Sequence, residues 1–398
     1  MGKKPAIRFE DYTEDWEQWK YEDLYAPLTE RNTDLLPYNK TLSVATMTYK
    51  TEGNGASDSS LVNYKRLRIG DIAFEGHTSK EFRYGRFALN DAGDGIMSPR
   101  FSALRPIKPM PISFWKYYIH YEPLMRKVLV NATKAGTMMN ELVTDEFLKS
   151  SVLVPSEEEQ NCIGTVLATL DHIIVLHQNN YEKMVAIKKS MLDKLFPQGE
   201  TKVPAIRFEG FEGDWEKKPL SAIVIPYSDP VEVPHNGYER LGIRSHGKGV
   251  FHEYVEAGKE ITTAQLHRVA AHNFIVNITF AWEHAVAVTS DEDAGKLVSH
   301  RFPQFSMADG IYDQFLKYLI LDARFRHHLL LSSPGGAGRN RVLKIPEMLE
   351  YEMRIPGIEE QRQIAGYLNS LDVLIELYQM RVEKLKNIKA ACLQGMFV

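Results

Sequence analysis

The sequence predicts an α+β protein in which two similar globular domains alternate with two long helices, the helices pairing as an antiparallel coiled coil across a pseudo-twofold. Three features predict this: a duplication offset by about 200 residues, short apolar runs broken by turn residues in both halves, and a heptad seam that closes each half.

The duplication runs through the whole chain. PAIRFE at 5–10 recurs at 204–209, an offset of 199. Asp15-Trp16-Glu17 recurs at the same offset as Asp214-Trp215-Glu216. Arg66 in KRLRIGDIAF matches Arg268 in HRVAAHNFIV at 202, and Ser98-Pro99-Arg100-Phe101 matches Ser299-His300-Arg301-Phe302 at 201. VPSEEEQ at 154–160 matches IPGIEEQ at 355–361, and Leu170-Asp171 matches Leu371-Asp372, both at 201. Ordered matches at a near-constant offset mean one unit written twice with small loop changes. The period is too long for a solenoid and suits a pseudo-twofold pair. The resulting spans are 1–156 and 198–356 for the globular domains, and 157–197 and 357–398 for the helices.

In the globular spans, runs such as Asp71-Ile72-Ala73-Phe74 and Phe274-Ile275-Val276-Asn277 are bounded by Gly, Asn and Asp clusters. That texture predicts short strands and turns, with single helices over 112–129 and 311–331. Hydrophobic residues at 44% and charged residues at 25% suffice for a sizeable core. The two cysteines, Cys162 and Cys392, have no CxxC neighbour and no zinc-type spacing, so neither a disulfide framework nor a structural metal is expected. No apolar run is long enough for a membrane span. The opening MGKKPAIRFEDYTEDW lacks the apolar core of a secretory signal. The expected setting is a reducing cytoplasm.

A net charge of −4 excludes a uniformly basic nucleic-acid coat, but not a reader whose basic residues share one face. Basic and polar side chains do gather near glycine-rich loops. The first domain offers Lys50, Asn54, Lys65, Arg66, Arg68, Lys80, Arg83, Arg86 and Arg100. The second offers Arg240, Arg244, Ser245, His246, Lys248, His267, Arg268, Arg339, Asn340 and Arg341. Arg and Lys suit phosphates and guanine edges, and Asn suits adenine. Residue by residue, a solvated loop surface would look the same. The loop RLGIRSHGKG as a whole favours DNA contact, and it is expected to have no matching loop in the first domain.

The helices carry the clearest periodicity. Ile163, Leu170, His177, Met184 and Met191 recur every seven residues, joined by Leu167, Ile174, Tyr181 and Leu195 and broken at Lys188. The second copy runs Ile364, Leu371, Tyr378, Leu385 and Cys392, joined by Leu368, Ile375, Val382 and Met396 and broken at Lys389. Such heptads predict a coiled coil whose seam buries Leu170, Ile174, Leu371 and Ile375. Pro155 and Pro356 mark the helix starts, and glutamates load the first turns, where the helix dipole favours them.

These features together resemble the specificity subunit of type I restriction-modification enzymes. The helix starts PSEEEQ and PGIEEQ, the opening PAIRFEGFEGDWEKKPL at 204–220 with its weaker copy at 5–19, and Gly70-Asp71-Ile72 followed by Asp94-Gly95-Ile96-Met97-Ser98-Pro99 carry the resemblance. The second half departs from the last pattern, with His272-Asn273-Phe274 and His300, which suggests that the halves read different sequences. The resemblance implies two target-recognition domains on double-stranded DNA. It further implies two modification subunits that carry S-adenosylmethionine and methylate adenine, and two restriction subunits that use ATP and Mg for translocation and cleavage. The chain has no GxxxxGK[ST] loop, no NPPY-like methylase motif and no nuclease carboxylate–lysine cluster, so it is expected to do no chemistry itself. Two rivals remain: a fused nuclease or methylase with its own specificity domains, and a coiled-coil scaffold holding two protein- or peptide-binding domains.

Overall fold

In the computed structural model the described residues are 4–50, 58–260, 265–335 and 341–397. The chain divides into two compact units, residues 1–179 with 378–398, and residues 180–377.

The first unit begins with β1 (Glu17–Lys20) and β2 (Tyr25–Pro27). Then come β3 (Lys65–Leu67), β4 (Ile72–Glu75), β5 (Arg86–Leu89), β6 (Gly95–Met97) and β7 (Ala103–Pro106). Helices α1 (Ile112–Tyr118) and α2 (Glu122–Ala132) lead into a small hairpin, β8 (Thr133–Lys134) and β9 (Glu141–Leu142). Helix α3 (Thr144–Lys149) and β10 (Ser151–Val154) then lead to α4 (Glu157–Lys194), whose first part belongs to this unit. The main sheet has the order β2-β7-β4-β5, and β3 pairs β6. Side chains alternate across a strand, and the cores follow that alternation. Ile72, Phe74, Phe87 and Leu89 enter an aromatic-rich core with Phe114, Trp115 and Phe147. Ala73 and Ala88 face a second core with Leu67 and Met97.

The second unit repeats the plan. Its strands are β11 (Glu216–Pro219), β12 (Val224–Tyr227), β13 (Pro230–Val231), β14 (Tyr238–Ile243), β15 (Val250–Val255), β16 (Leu266–Arg268), β17 (Phe274–Val276), β18 (Val286–Val288), β19 (Leu297–Ser299) and β20 (Gln304–Met307). Helices α5 (Asp313–Leu319), α6 (Ala323–Leu331) and α7 (Ile345–Leu349) precede β21 (Glu352–Ile355) and α8 (Ile358–Met396). The order β12-β20-β17-β18 reproduces the first unit's main sheet, and β11–β21 reproduces β1–β10. Phe274 and Val276 enter one core while Ile275, Ala285 and Ala287 enter the other. The second sheet, β13-β16-β19-β14-β15, is fuller than its counterpart. There the first unit has β3–β6 and the single bridges Arg31↔Lys65, Thr41↔Ile96 and Leu42↔Tyr49.

Two expectations are corrected here. The helices expected over 112–129 and 311–331 are each two short helices. Pro123 opens α2 in its first turn, and the Asp322 side chain accepts from Arg324 N to cap α6, so each chain restarts rather than continues. The seam is also less buried than expected. Leu371 is buried, whereas Leu170, Ile174 and Ile375 are half-buried. Two paired helices cover a seam from one side only. Full burial occurs where the globular domain closes over the helix, at Ile163, Leu167, Ile364 and Leu368.

The repeated motifs explain how each helix is held. Arg8 donates twice to the carboxylate of Glu159, both at 2.8 Å. Arg207 does the same to Glu360, again at 2.8 Å, and Trp215 Nε1 adds a third donor. The next residue completes the clamp. Gln160 accepts from Trp115 Nε1 and donates to Pro155 O. Gln361 accepts from Tyr312 N and donates to Gly310 O and Pro356 O. Gly164 lets α4 touch α1, since a Cβ there would lie 2.4 Å from Ser113 Oγ. The lysines that break each heptad are contacts. In the first unit Lys389 donates to Asp171 at 2.6 Å, and Tyr117 donates to the other oxygen of that carboxylate. In the second, Lys188 and Tyr318 hold Asp372 in the same way. Within each unit the helix segments therefore run antiparallel, and a polar pair in the seam fixes their register. No helix among the described residues is long and apolar enough to cross a membrane.

Candidate nucleic-acid interface

In the second unit three segments are bonded into one surface. The hairpin turn 244–249 is closed by Arg244 N donating to Gly249 O at 2.9 Å. His246 N and Gly247 N donate to Glu283 O and His284 O, at 2.8 and 2.9 Å, joining this turn to the one at 277–285. Ser245 Oγ adds a bond to the Glu283 carboxylate at 2.5 Å. The third segment joins through Leu343 N, which donates to Ile278 O at 2.8 Å. The turn 277–285 is stiffened from within. The Asn277 side chain accepts from Thr279 N and Oγ1, and Trp282 Nε1 donates to Thr279 O. Gly247 has φ 63°, and a Cβ there would stand 2.7 Å from the Leu321 side chain, so this left-handed position in the turn favours glycine.

The first unit repeats two of these links. Ser43 N donates to Thr48 O at 2.9 Å, in the place of Arg244 and Gly249. Asn140 N donates to Gly76 O at 2.9 Å, in the place of Leu343 and Ile278. Gly76 is packed so that a Cβ would lie 1.9 Å from Asn140 O. The expectation that the 240–249 loop has no counterpart is thus corrected: a matching turn exists at 43–48. Its residues SVATMT share no side-chain pattern with RSHGKG, so the sequence hid it.

The expected contact residues separate into two groups. Arg66 is buried and paired to Asp94 at 2.9 Å, so it braces the domain instead of facing solvent. Lys65 donates to Phe101 O, and burial pushes its ammonium pKa down. Arg68 pairs Glu30 at 2.7 Å, and Arg86 lies 3.3 Å from Glu75. Arg68 and then Arg105 hold the Glu30 carboxyl down to a pKa of about 2. Arg240 pairs Glu253, Arg268 lies 3.5 Å from Asp229, and His267 meets Ser228. Arg244 donates to Val250 O and lies over Phe251. Lys50, Lys80, Arg83, Arg100, His246 and Lys248 are exposed. Arg341 lies 5.7 Å above the Trp282 ring. Asn54, Arg339 and Asn340 lie outside the described residues.

Sequence reasoning missed Phe280, Trp282 and Glu283. Phe280 is 41% exposed at the tip of the 277–285 turn. Two large aromatics inside NITFAWEH, between the apolar runs FIV and VAV, were a signal that could have found them. Among the described residues no group of three or more His, Cys, Asp or Glu is arranged to hold a metal.

No family model matches the chain. The type I restriction enzyme MjaVIII specificity subunit of Methanocaldococcus jannaschii is 23% identical over 286 residues, 68% of this chain and 67% of that protein. The MjaX specificity subunit from the same organism is 21% identical over 345 residues, 81% of this chain and 76% of its own. Among solved structures, the type I restriction-modification system S subunit from M. genitalium matches with a TM-score of 0.59 at 11% identity, covering 99% of both chains, a likeness of fold. By sequence over two thirds of its length and by fold over nearly all of it, the chain is similar to the type I restriction enzyme specificity subunits.

Proposed function

We propose that the chain reads DNA sequence for a type I restriction-modification enzyme. Residues 1–156 and 198–356 act as target-recognition domains, each taking one half of a bipartite, asymmetric target. Partner subunits do the chemistry. Two modification subunits with S-adenosylmethionine methylate adenine, and two restriction subunits with ATP and Mg cleave. The observation that carries this reading is the duplicated plan: a matching closed turn and a matching cross-link to the turn after the central strand in each unit, bearing different side chains. Two readers on one chain suit a target of two unlike halves. The long helices suit subunit docking, since Val175 and Leu176 on α4 and Val373 and Leu374 on α8 leave apolar surface exposed.

The test is a mobility shift on a pool of random duplexes, using the chain assembled with its modification subunits. The bound fraction should be enriched in a two-part motif, and log affinity should fall linearly with log salt as phosphate contacts release counterions. A scaffold for proteins or peptides would shift no duplex at any salt concentration.

A further inference from the structure

Two sets of the second unit's basic side chains differ in what holds them. Arg240 and Arg268 lie in strands and are committed to Glu253 and Asp229. His246 and Lys248 sit on the 244–249 turn and Arg341 lies over the Trp282 ring, and among the described residues none of the three forms an ion pair. We infer that base reading is carried by the turn after the central strand, 76–85 in the first unit and 277–285 in the second, together with the segment hydrogen-bonded to its start. The strand arginines hold the frame. This inference rests on the DNA-reading function proposed above.

Three physical requirements converge on that turn. A reading element must be rigid, because a base edge is recognised only within narrow geometry. The Asn277 and Trp282 bonds and the link from Leu343 N supply that rigidity. It must present donors that no internal acceptor claims. A strand arginine would have to leave its carboxylate to reach a base. The Arg341 guanidinium instead lies over the Trp282 ring, and among the described residues no acceptor takes its N–H groups. A fork so placed suits the O6 and N7 acceptors of guanine, and exposed Phe280 suits a thymine methyl. Finally, the element must differ between halves that read different bases. Counting from the shared bonds, Met138 stands where Arg341 does, and Lys80 where Trp282 does. Met138 is 77% exposed and Arg341 is half-buried, so this position carries unlike chemistry in the two units.

The experiment compares wild type with Arg341→Ala, Phe280→Ala, Arg240→Ala and Arg268→Ala, each in complex with the modification subunits, by methylated-adenine mapping and duplex affinity. Arg341→Ala and Phe280→Ala are expected to relax one or two base positions of one half-site, each by about 5- to 150-fold, with the other half unchanged. Arg240→Ala and Arg268→Ala are expected to keep the wild-type motif. Melting curves identify any variant that fails to fold, and the remaining member of each pair then decides. An unchanged motif in the two turn variants, or relaxation in the strand variants, overturns the inference while the function stands. A wild-type complex without sequence preference overturns the function, and the inference with it.

Discussion

Replacing Glu360 by alanine is expected to destabilise the second unit by about 3–5 kcal/mol, because it leaves a half-buried guanidinium without its ion-pair partner. Glu360 is 2% exposed and takes two bonds from Arg207 and one from Trp215. It also sits in the first turn of α8, where the helix dipole favours an anion. Two charges taken out of water recover their lost hydration only through each other, so removing one is worse than removing both. Arg207→Leu with Glu360→Leu is therefore expected to cost much less than either single change. Urea unfolding followed by tryptophan fluorescence reads the effect, since Trp215 touches the pair. Glu159→Ala should act on the first unit in the same way through Arg8. A single variant within about 1 kcal/mol of wild type, or a double variant as damaged as the single, would show that the clamp is incidental.

The second large effect separates positions that the heptad pattern treats as equal. Leu368 and Leu167 are fully buried, each where the globular domain closes over its helix. Replacing either by alanine leaves a cavity in a packed core and is expected to cost about 2–5 kcal/mol. Leu170 and Ile174 have the same periodicity but are half-buried, so less area leaves water and about 1 kcal/mol is expected. The same unfolding experiment ranks them. Equal losses at all four positions would mean that the seam is buried uniformly along its length.

The contrast shows what a one-dimensional pattern carries. Periodicity identifies which face of a helix is apolar, and it located the seam. It does not show what covers that face. Lys188 and Lys389 read as interruptions because their partners, Asp372 and Asp171, are 184 and 218 residues away. The arginines show the same limit. Arg66 and Arg240 have the chemistry of DNA contacts, but carboxylates 28 and 13 residues away claim them. Local sequence gave no sign of that pairing, because the strands that bring the charges together are set by the whole sheet. The turn at 43–48 was invisible for the opposite reason: its backbone bonding matches 244–249 while its side chains do not. Only the backbone of the frame is shared, and side-chain patterns are all that a sequence comparison sees.

The central claim is that each unit reads one half of a split target. Mapping of methylated adenines tests it most directly, in cells that carry the modification subunits with and without this chain. The account predicts chain-dependent methylation at a motif of two unlike specified parts around an unspecified gap, lost entirely when the chain is absent. Methylation that persists without the chain, or that falls at one continuous palindrome, would contradict it.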